Sequence, residues 1–236
     1  MGDILDYKNG EQTLEAYVAL PAGSERRPCV LICHQWAGTS DFERARAEDL
    51  ARLGYVGIAI DAYGKGQRGS IATDNSALMN PCMEDRAMLR RRLLAGVEAA
   101  KAHPRVDPQR IAAMGYCFGG LCALDIARSG TADVRGVVSF HGLFAAPATG
   151  PQAPIKSKVM IHHGWDDPLA PPADVVAVAK EMTEAQADWQ FHAYGHAMHA
   201  FTSPGANAPD RGLQYNENAA RRSWASTLAF FEEVLA

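Results

Sequence analysis

Apolar and polar positions along this chain follow two alternating periods. Residues 29–33 (Cys-Val-Leu-Ile-Cys) and 55–60 (Tyr-Val-Gly-Ile-Ala-Ile) are short, almost wholly apolar runs, the pattern of strands covered on both faces. Between them the spacing turns helical, with Leu50 and Leu53 among its apolar positions. Ser40 followed by Glu43 makes a capping box at the start of this helix, and Gly54 supplies a left-handed stop. The alternation then continues. It predicts strands at 111–114, 134–140, 158–162 and 189–194, and helices at 83–102, 118–128, 173–184 and 218–235.

Repeated β-α units require a mostly parallel sheet, because parallel strands need long crossovers and these pack right-handed over the sheet. The predicted fold is therefore α/β: a three-layer, doubly wound sheet with helices on both faces. Chemistry in such sheets sits at the carboxyl ends of the strands. The Gly/Pro-rich segments at 64–69, 145–154 and 203–212 have the lengths of loops, not domain hinges. Residues 1–236 are accordingly read as one domain.

Composition narrows the function. Hydrophobic residues at 47% and charged residues at 21% exclude a mainly disordered chain. A formal net charge of -4 offers no basic field for phosphate backbones, so the expected partner is a small molecule and not nucleic acid. No run approaches the roughly 18 apolar residues of a membrane span. The first twenty residues lack the apolar core of a signal peptide. Five cysteines, odd in number and without paired spacing, suit reduced thiols, and a cytoplasmic location is expected.

One of those thiols stands apart. Gly115 and Gly119 lie two residues either side of Cys117, where a predicted strand runs into a predicted helix. A sharp turn of this kind pushes its central side chain into the cleft, and the missing side chains let neighbouring elements pass. The helix dipole favours a thiolate there, and the Phe118 amide is left free to meet an oxyanion. A phosphate cradle is the competing reading of a Gly-rich turn. The chain has neither the G-x-G-x-x-G order nor a following Gly-Lys-Ser/Thr.

A thiol nucleophile needs a base, and a carboxylate to orient that base. The segment 162–168 (His-His-Gly-Trp-Asp-Asp-Pro) ends one predicted strand with the adjacent acids Asp166 and Asp167, and His199 follows the next strand. Nucleophile, acid, histidine is the chain order of an α/β-hydrolase triad. The loop at 34–38 is placed to supply a second oxyanion donor, the Trp36 amide. His192, His196 and His199 are spaced like metal ligands, yet they straddle a strand and a loop with no helix to gather them, so no metal site is read. His141, His162 and His163 are read as hydrogen-bonded strand-end residues, and Asp166 as a turn former.

GYCFGG at 115–120, HHGWDDPLAP at 162–171 and His199-Ala200-Phe201 resemble the dienelactone hydrolase family, whose elbow carries cysteine in place of serine. The likeness runs from the strand at 29–33 to the histidine loop. It implies Cys117 as nucleophile, His199 as base, and Asp167 as acid in preference to Asp166, because the family's acid lies three residues after the glycine matched by Gly164. It further implies an oxyanion hole of the Trp36 and Phe118 amides. The implied reaction is hydrolysis of a small carboxylic ester, thioester or lactone through an acyl-cysteine, with no cofactor.

Two departures from the family pattern matter. Gln35 stands where founding members carry a glutamate that takes part in activating the thiol. Glutamine cannot accept a full proton, so activation is expected from His199 directly, as a thiolate-imidazolium pair. Ser203 stands where the family has a substrate-binding arginine, leaving Arg68, Arg86 and Arg90 to Arg92 as candidates for that task. Gln35, Tyr63 and Trp165 are read as substrate-binding residues, with Trp36 and Phe118 adding to an aromatic acyl pocket. The rival readings are a catalytically silent ligand-binding relative and a redox-sensing thiol protein, although Cys122 is placed to face helix packing and not to resolve a disulfide.

Overall fold

The computed structural model describes every residue except Met1 and Pro151, the latter inside the predicted 145–154 loop. Ten strands and six α-helices follow one another: β1 Asp3–Asn9, β2 Gln12–Ala19, β3 Arg27–Cys33, α1 Asp41–Arg52, β4 Val56–Ile60, α2 Ser76–Glu84, α3 Arg86–Ala102, β5 Val106–Tyr116, α4 Phe118–Arg128, β6 Gly136–Phe140, β7 Lys158–Gly164, α5 Pro172–Glu184, β8 Trp189–Tyr194, β9 Asn207–Ala208, β10 Leu213–Gln214 and α6 Glu217–Val234. The main sheet has the order β1-β2-β4-β3-β5-β6-β7-β8. From β4 to β8 every pairing is parallel, and β2 joins β4 antiparallel. Among the described residues no helix is long and apolar enough to cross a membrane.

The strand pleat divides the interior in two. Cys29, Leu31, Cys33, Ile58, Ile60, Ala113 and Ile161 face one core, where Leu89, Leu93 and Val97 of α3, Leu121 of α4 and Val178 of α5 pack. Val30, Ile32, Ala59, Met114, Val138 and Met160 face the other, against Ala47 and Leu50 of α1 and Phe230 and Phe231 of α6. Residues i and i+2 share a face, so an uninterrupted apolar run feeds both cores. Each fully buried aliphatic or aromatic side chain contributes about 1.5–3 kcal/mol.

The local signals act as their chemistry dictates. Ser40 and Glu43 form the reciprocal capping box of α1, and Gly54 takes the left-handed conformation after it. The structure also differs from the sequence reading. Strands β1 and β2 form an edge hairpin whose two-residue loop is Gly10-Glu11; Gly10 has positive φ, and a glycine at the first loop position between alternating segments is its sequence signal. The helix predicted over 83–102 is broken at Asp85, whose side chain caps α3 by accepting from the Met88 amide at 2.7 Å. Residues 76–84 form α2, a separate helix.

Candidate active site

Strand β5 enters α4 through Cys117, whose φ of 57° and ψ of -120° lie in territory that costs a non-glycine residue on the order of 1–3 kcal/mol. The neighbouring glycines explain how the turn closes. A Cβ on Gly119 would lie 2.1 Å from the Cys33 carbonyl oxygen, and one on Gly115 would lie 1.9 Å from the Gly119 oxygen. Both obstacles are backbone and cannot move aside. The turn is locked by hydrogen bonds from the Cys117 amide to Phe140 O (3.1 Å) and from the Gly120 amide to Cys117 O (2.9 Å). Cys117 is partly exposed, whereas Cys29, Cys33, Cys82 and Cys122 are buried. Burial pushes the Cys82 thiol up to about 11 and drives the Cys122 thiol well above its ordinary value, which keeps both in the unreactive form.

His199 and Asp167 meet beside this elbow. His199 Nδ1 is 2.8 Å from Asp167 Oδ2, and both side chains are buried. Asp167 is held in turn, its Oδ1 accepting from the Leu169 amide at 2.8 Å. Asp166 points elsewhere: it is exposed and lies 3.7 Å from the exposed His196. The two loops that carry acid and histidine are stitched together by Asp166 N to Ala197 O (2.9 Å), and Gly164 is needed because a Cβ there would meet the Ala197 and Met198 carbonyls at 2.6 Å. The short β9–β10 hairpin completes the support. His199 N donates to Gly212 O, and Gln214 N donates to His199 O.

Opposing influences set the pKa of His199. Burial by itself would push its pKa down. Charge interaction with Cys117 and the hydrogen bond with Asp167 outweigh burial and push it up to about 10. Its second nitrogen, Nε2, makes no well-formed hydrogen bond to protein among the described residues.

Two backbone amides are free at this end of the sheet. Neither Trp36 N nor Phe118 N donates to a protein acceptor among the described residues. The loop carrying Trp36 is fixed from several sides. The buried Glu43 carboxylate accepts from Gln35 N at 3.1 Å and from both groups of Ser40, and Gly38 N closes the turn onto Gln35 O. His34 Nδ1 lies 2.7 Å from Gln35 O while its Nε2 accepts from Ala62 N, which assigns the Nδ1–H tautomer.

The remaining residues singled out from sequence fall into different roles. Tyr63 is buried, and its hydroxyl donates to Trp36 O at 2.9 Å, so it braces the 34–38 loop from behind. The Phe118 ring is likewise fully buried and stacks on Tyr63 at 5.7 Å, leaving only its amide for chemistry. Gln35 is nearly buried and its side-chain amide has no protein partner among the described residues, whereas Trp165 is 47% exposed. Tyr63→Phe leaves a buried carbonyl unpaired, a loss of about 1 kcal/mol. The expected result is a kcat about 3- to 10-fold lower with KM unchanged, read from steady-state kinetics on a neutral ester.

Three of the candidate arginines, Arg68, Arg86 and Arg92, are occupied. Arg86 makes a bidentate pair with Asp125 at 2.6 and 2.8 Å, Arg92 donates to the carbonyls of Ala62 and Tyr63, and Arg68 pairs with Glu15 at 2.6 Å. His192 and His196 do not converge with His199; the first contacts Gln190 and the ring of His162. Residues absent from the sequence-based site also touch it: Glu43 through the 34–38 loop, and His141, whose ring packs 5.1 Å from that of His199.

A doubly wound sheet with a strained thiol elbow, an acid and a histidine at successive strand ends defines an α/β-hydrolase. The dienelactone hydrolase family model matches residues 14–235, and the chain belongs to that family. It is a hydrolase. A dienelactone hydrolase-like promiscuous phosphotriesterase from metagenomic libraries has a similar structure, with a TM-score of 0.94 and 34% identity over 100% of this chain and 99% of its own. A Bradyrhizobium sp. protein bearing the name probable 2-oxo-3-(5-oxofuran-2-ylidene)propanoate lactonase is 27% identical over 232 residues, 94% of this chain and 90% of its own. The uncharacterized protein K02A2.1 of Caenorhabditis elegans is 39% identical over 153 residues, 63% of this chain and 95% of its own.

Proposed function

We propose that this domain hydrolyses a small carboxylic ester, thioester or lactone through an acyl-cysteine intermediate, with Cys117, His199 and Asp167 as its triad. The observation that carries the reading is the 2.8 Å contact between His199 Nδ1 and Asp167 beside the strained Cys117 elbow. The Cys117 thiolate attacks the carbonyl carbon, a C–S bond forms, and the carbonyl π pair moves onto oxygen. The Trp36 and Phe118 amides receive that oxyanion. Its collapse breaks the bond to the leaving group, which takes the proton from His199 Nε2. Water then gives a proton to His199, attacks the acyl carbon and releases the acid as the C–S bond breaks. Asp167 holds the imidazole so that Nε2 faces the sulfur and stabilises its charged form. The relative bearing a lactonase name supports lactones as one substrate class.

His199 raised to about 10 from an ordinary 6.5 supports a resting thiolate-imidazolium pair. The sign follows. The stabilisation from the His199 imidazolium is fully present below the unfolded pKa near 6.5 and is lost as pH rises through about 10. Two measurements test the reading. Mass spectrometry of protein mixed with p-nitrophenyl acetate is expected to find one acetyl group, on Cys117. Iodoacetamide is expected to alkylate Cys117 at pH values where an ordinary thiol is unreactive, and His199→Gln to abolish that advantage. Turnover without acylation of Cys117, or alkylation indifferent to His199→Gln, refutes it.

A further inference from the structure

His141 follows β6 at the position next to Cys117, since Phe140 pairs with Tyr116 in the sheet. It is completely buried. Its φ of 37° is left-handed, an uncommon state for a residue with a side chain. Among the described residues five non-glycine positions have positive φ, and three of them, Cys117, His141 and Ala200, cluster around the triad. Strain concentrated in this way marks a place where geometry is being held for a purpose. The held object is the His141 ring. It lies 5.1 Å from the His199 ring at 65°, close to edge-to-face, and is backed by Phe201 at 5.2 Å and Tyr116 at 5.9 Å. His141 Nε2 is 2.8 Å from Thr202 Oγ1, which anchors the ring from the histidine's own loop.

We propose that His141 is a positioning residue for the reaction: an uncharged aromatic wall that fixes the plane of the His199 imidazole between Asp167 and Cys117 and leaves room for its positive charge. The inference rests on the triad reading above. A wall beside an imidazolium must itself stay neutral, because a second cation at this distance would repel the first. Burial, and then the charge of His199, push the His141 pKa well below its ordinary value. The titratable groups facing the pair are Cys117 and Asp167 on His199, and Tyr116 and His163 on His141. Aromatic edge-to-face contact then orients the imidazole ring that Asp167 grips only at one nitrogen.

The test uses three variants of the full chain. His141→Asn suits a left-handed backbone but removes the ring, His141→Phe keeps a neutral ring without the hydrogen bond, and Thr202→Val unties the native ring. The readouts are kcat and KM for p-nitrophenyl acetate, and the pH dependence of Cys117 alkylation by iodoacetamide. His141→Asn is expected to lower kcat about 10- to 100-fold with KM unchanged, and to move the alkylation profile to higher pH. His141→Phe is expected to recover most of the kcat, and Thr202→Val to move both readouts the same way by less. His141→Asn with wild-type kcat and alkylation profile overturns the inference, as does His141→Phe performing no better than His141→Asn. Should His141→Asn fail to fold, an unshifted profile in Thr202→Val overturns it. Wild-type protein with no Cys117-dependent turnover instead refutes the triad itself, and the inference falls with it.

Discussion

Cys117→Ala is expected to lower kcat for p-nitrophenyl acetate by about 10⁴- to 10⁶-fold while the protein stays folded, its thermal unfolding midpoint lowered only by what the His199 imidazolium loses with its neighbour. The size follows from what a nucleophile does. Removing one member of a unit that acts together costs nearly as much as removing the whole, and only the oxyanion donors and binding remain. The small size of the stability change comes from packing and backbone. The loss of a sulfur at a partly exposed position forfeits little packing, and alanine meets the same left-handed cost as cysteine at a φ of 57°. Stopped-flow kinetics with activated ester separates this outcome from loss of binding, since the variant is expected to show no burst. Activity within tenfold of wild type would mean that another group attacks the carbonyl.

The second large effect is structural. Helix α4, which Cys117 caps, is buried along its whole length, yet it carries Asp125 and Arg128. Asp125 binds the Arg86 guanidinium through both oxygens and reaches Arg128 at 3.2 Å, and Arg128 is gripped in turn by Glu181 of α5 at 2.7 Å. The arginines also donate to the carbonyls of Phe144 and Ala145, so the network ties α3, α4 and α5 to the loop after β6. Breaking a buried pair from one side leaves charge without a partner. Asp125→Ala is therefore expected to destabilise the protein by about 3–5 kcal/mol, measured as a lower urea midpoint. A loss below about 1 kcal/mol would place the network in the class of surface ion pairs. Both arginines are committed to this network, which accounts for Arg86 being unavailable as a clamp for an anionic substrate.

The layout of the fold was legible because burial has a period. A continuous apolar run such as 29–33 fits only a strand with a core on each side, and Ser40, Glu43 and Gly54 mark helix ends through bonds made within a few residues. The edge hairpin is faint in the sequence because β1 is mostly exposed, so the burial period that marks the central strands is weak there and only Gly10 in the turn signals it. The break at Asp85 is hidden in the sequence because a cap inside a long helical pattern looks like one more polar position.

The candidate site divides along the same line. The elbow is a local object: glycines two residues either side of a thiol, at a strand-to-helix junction, specify it wherever the chain goes, and chain order pointed to 162–168 and to His199 as partners. What those letters leave open is settled by contacts between distant segments. Asp167 meets His199 across 32 residues of chain while Asp166 faces solvent, because the loops after β7 and β8 are stitched together in one register. Only the packed sheet sets Tyr63 behind Trp36, spends Arg86 on Asp125, and lays the ring of His141 against His199. Periodicity and turn chemistry are properties of neighbours in sequence, whereas the identity of a hydrogen-bond or ring partner depends on which strand ends the β-sheet order brings side by side.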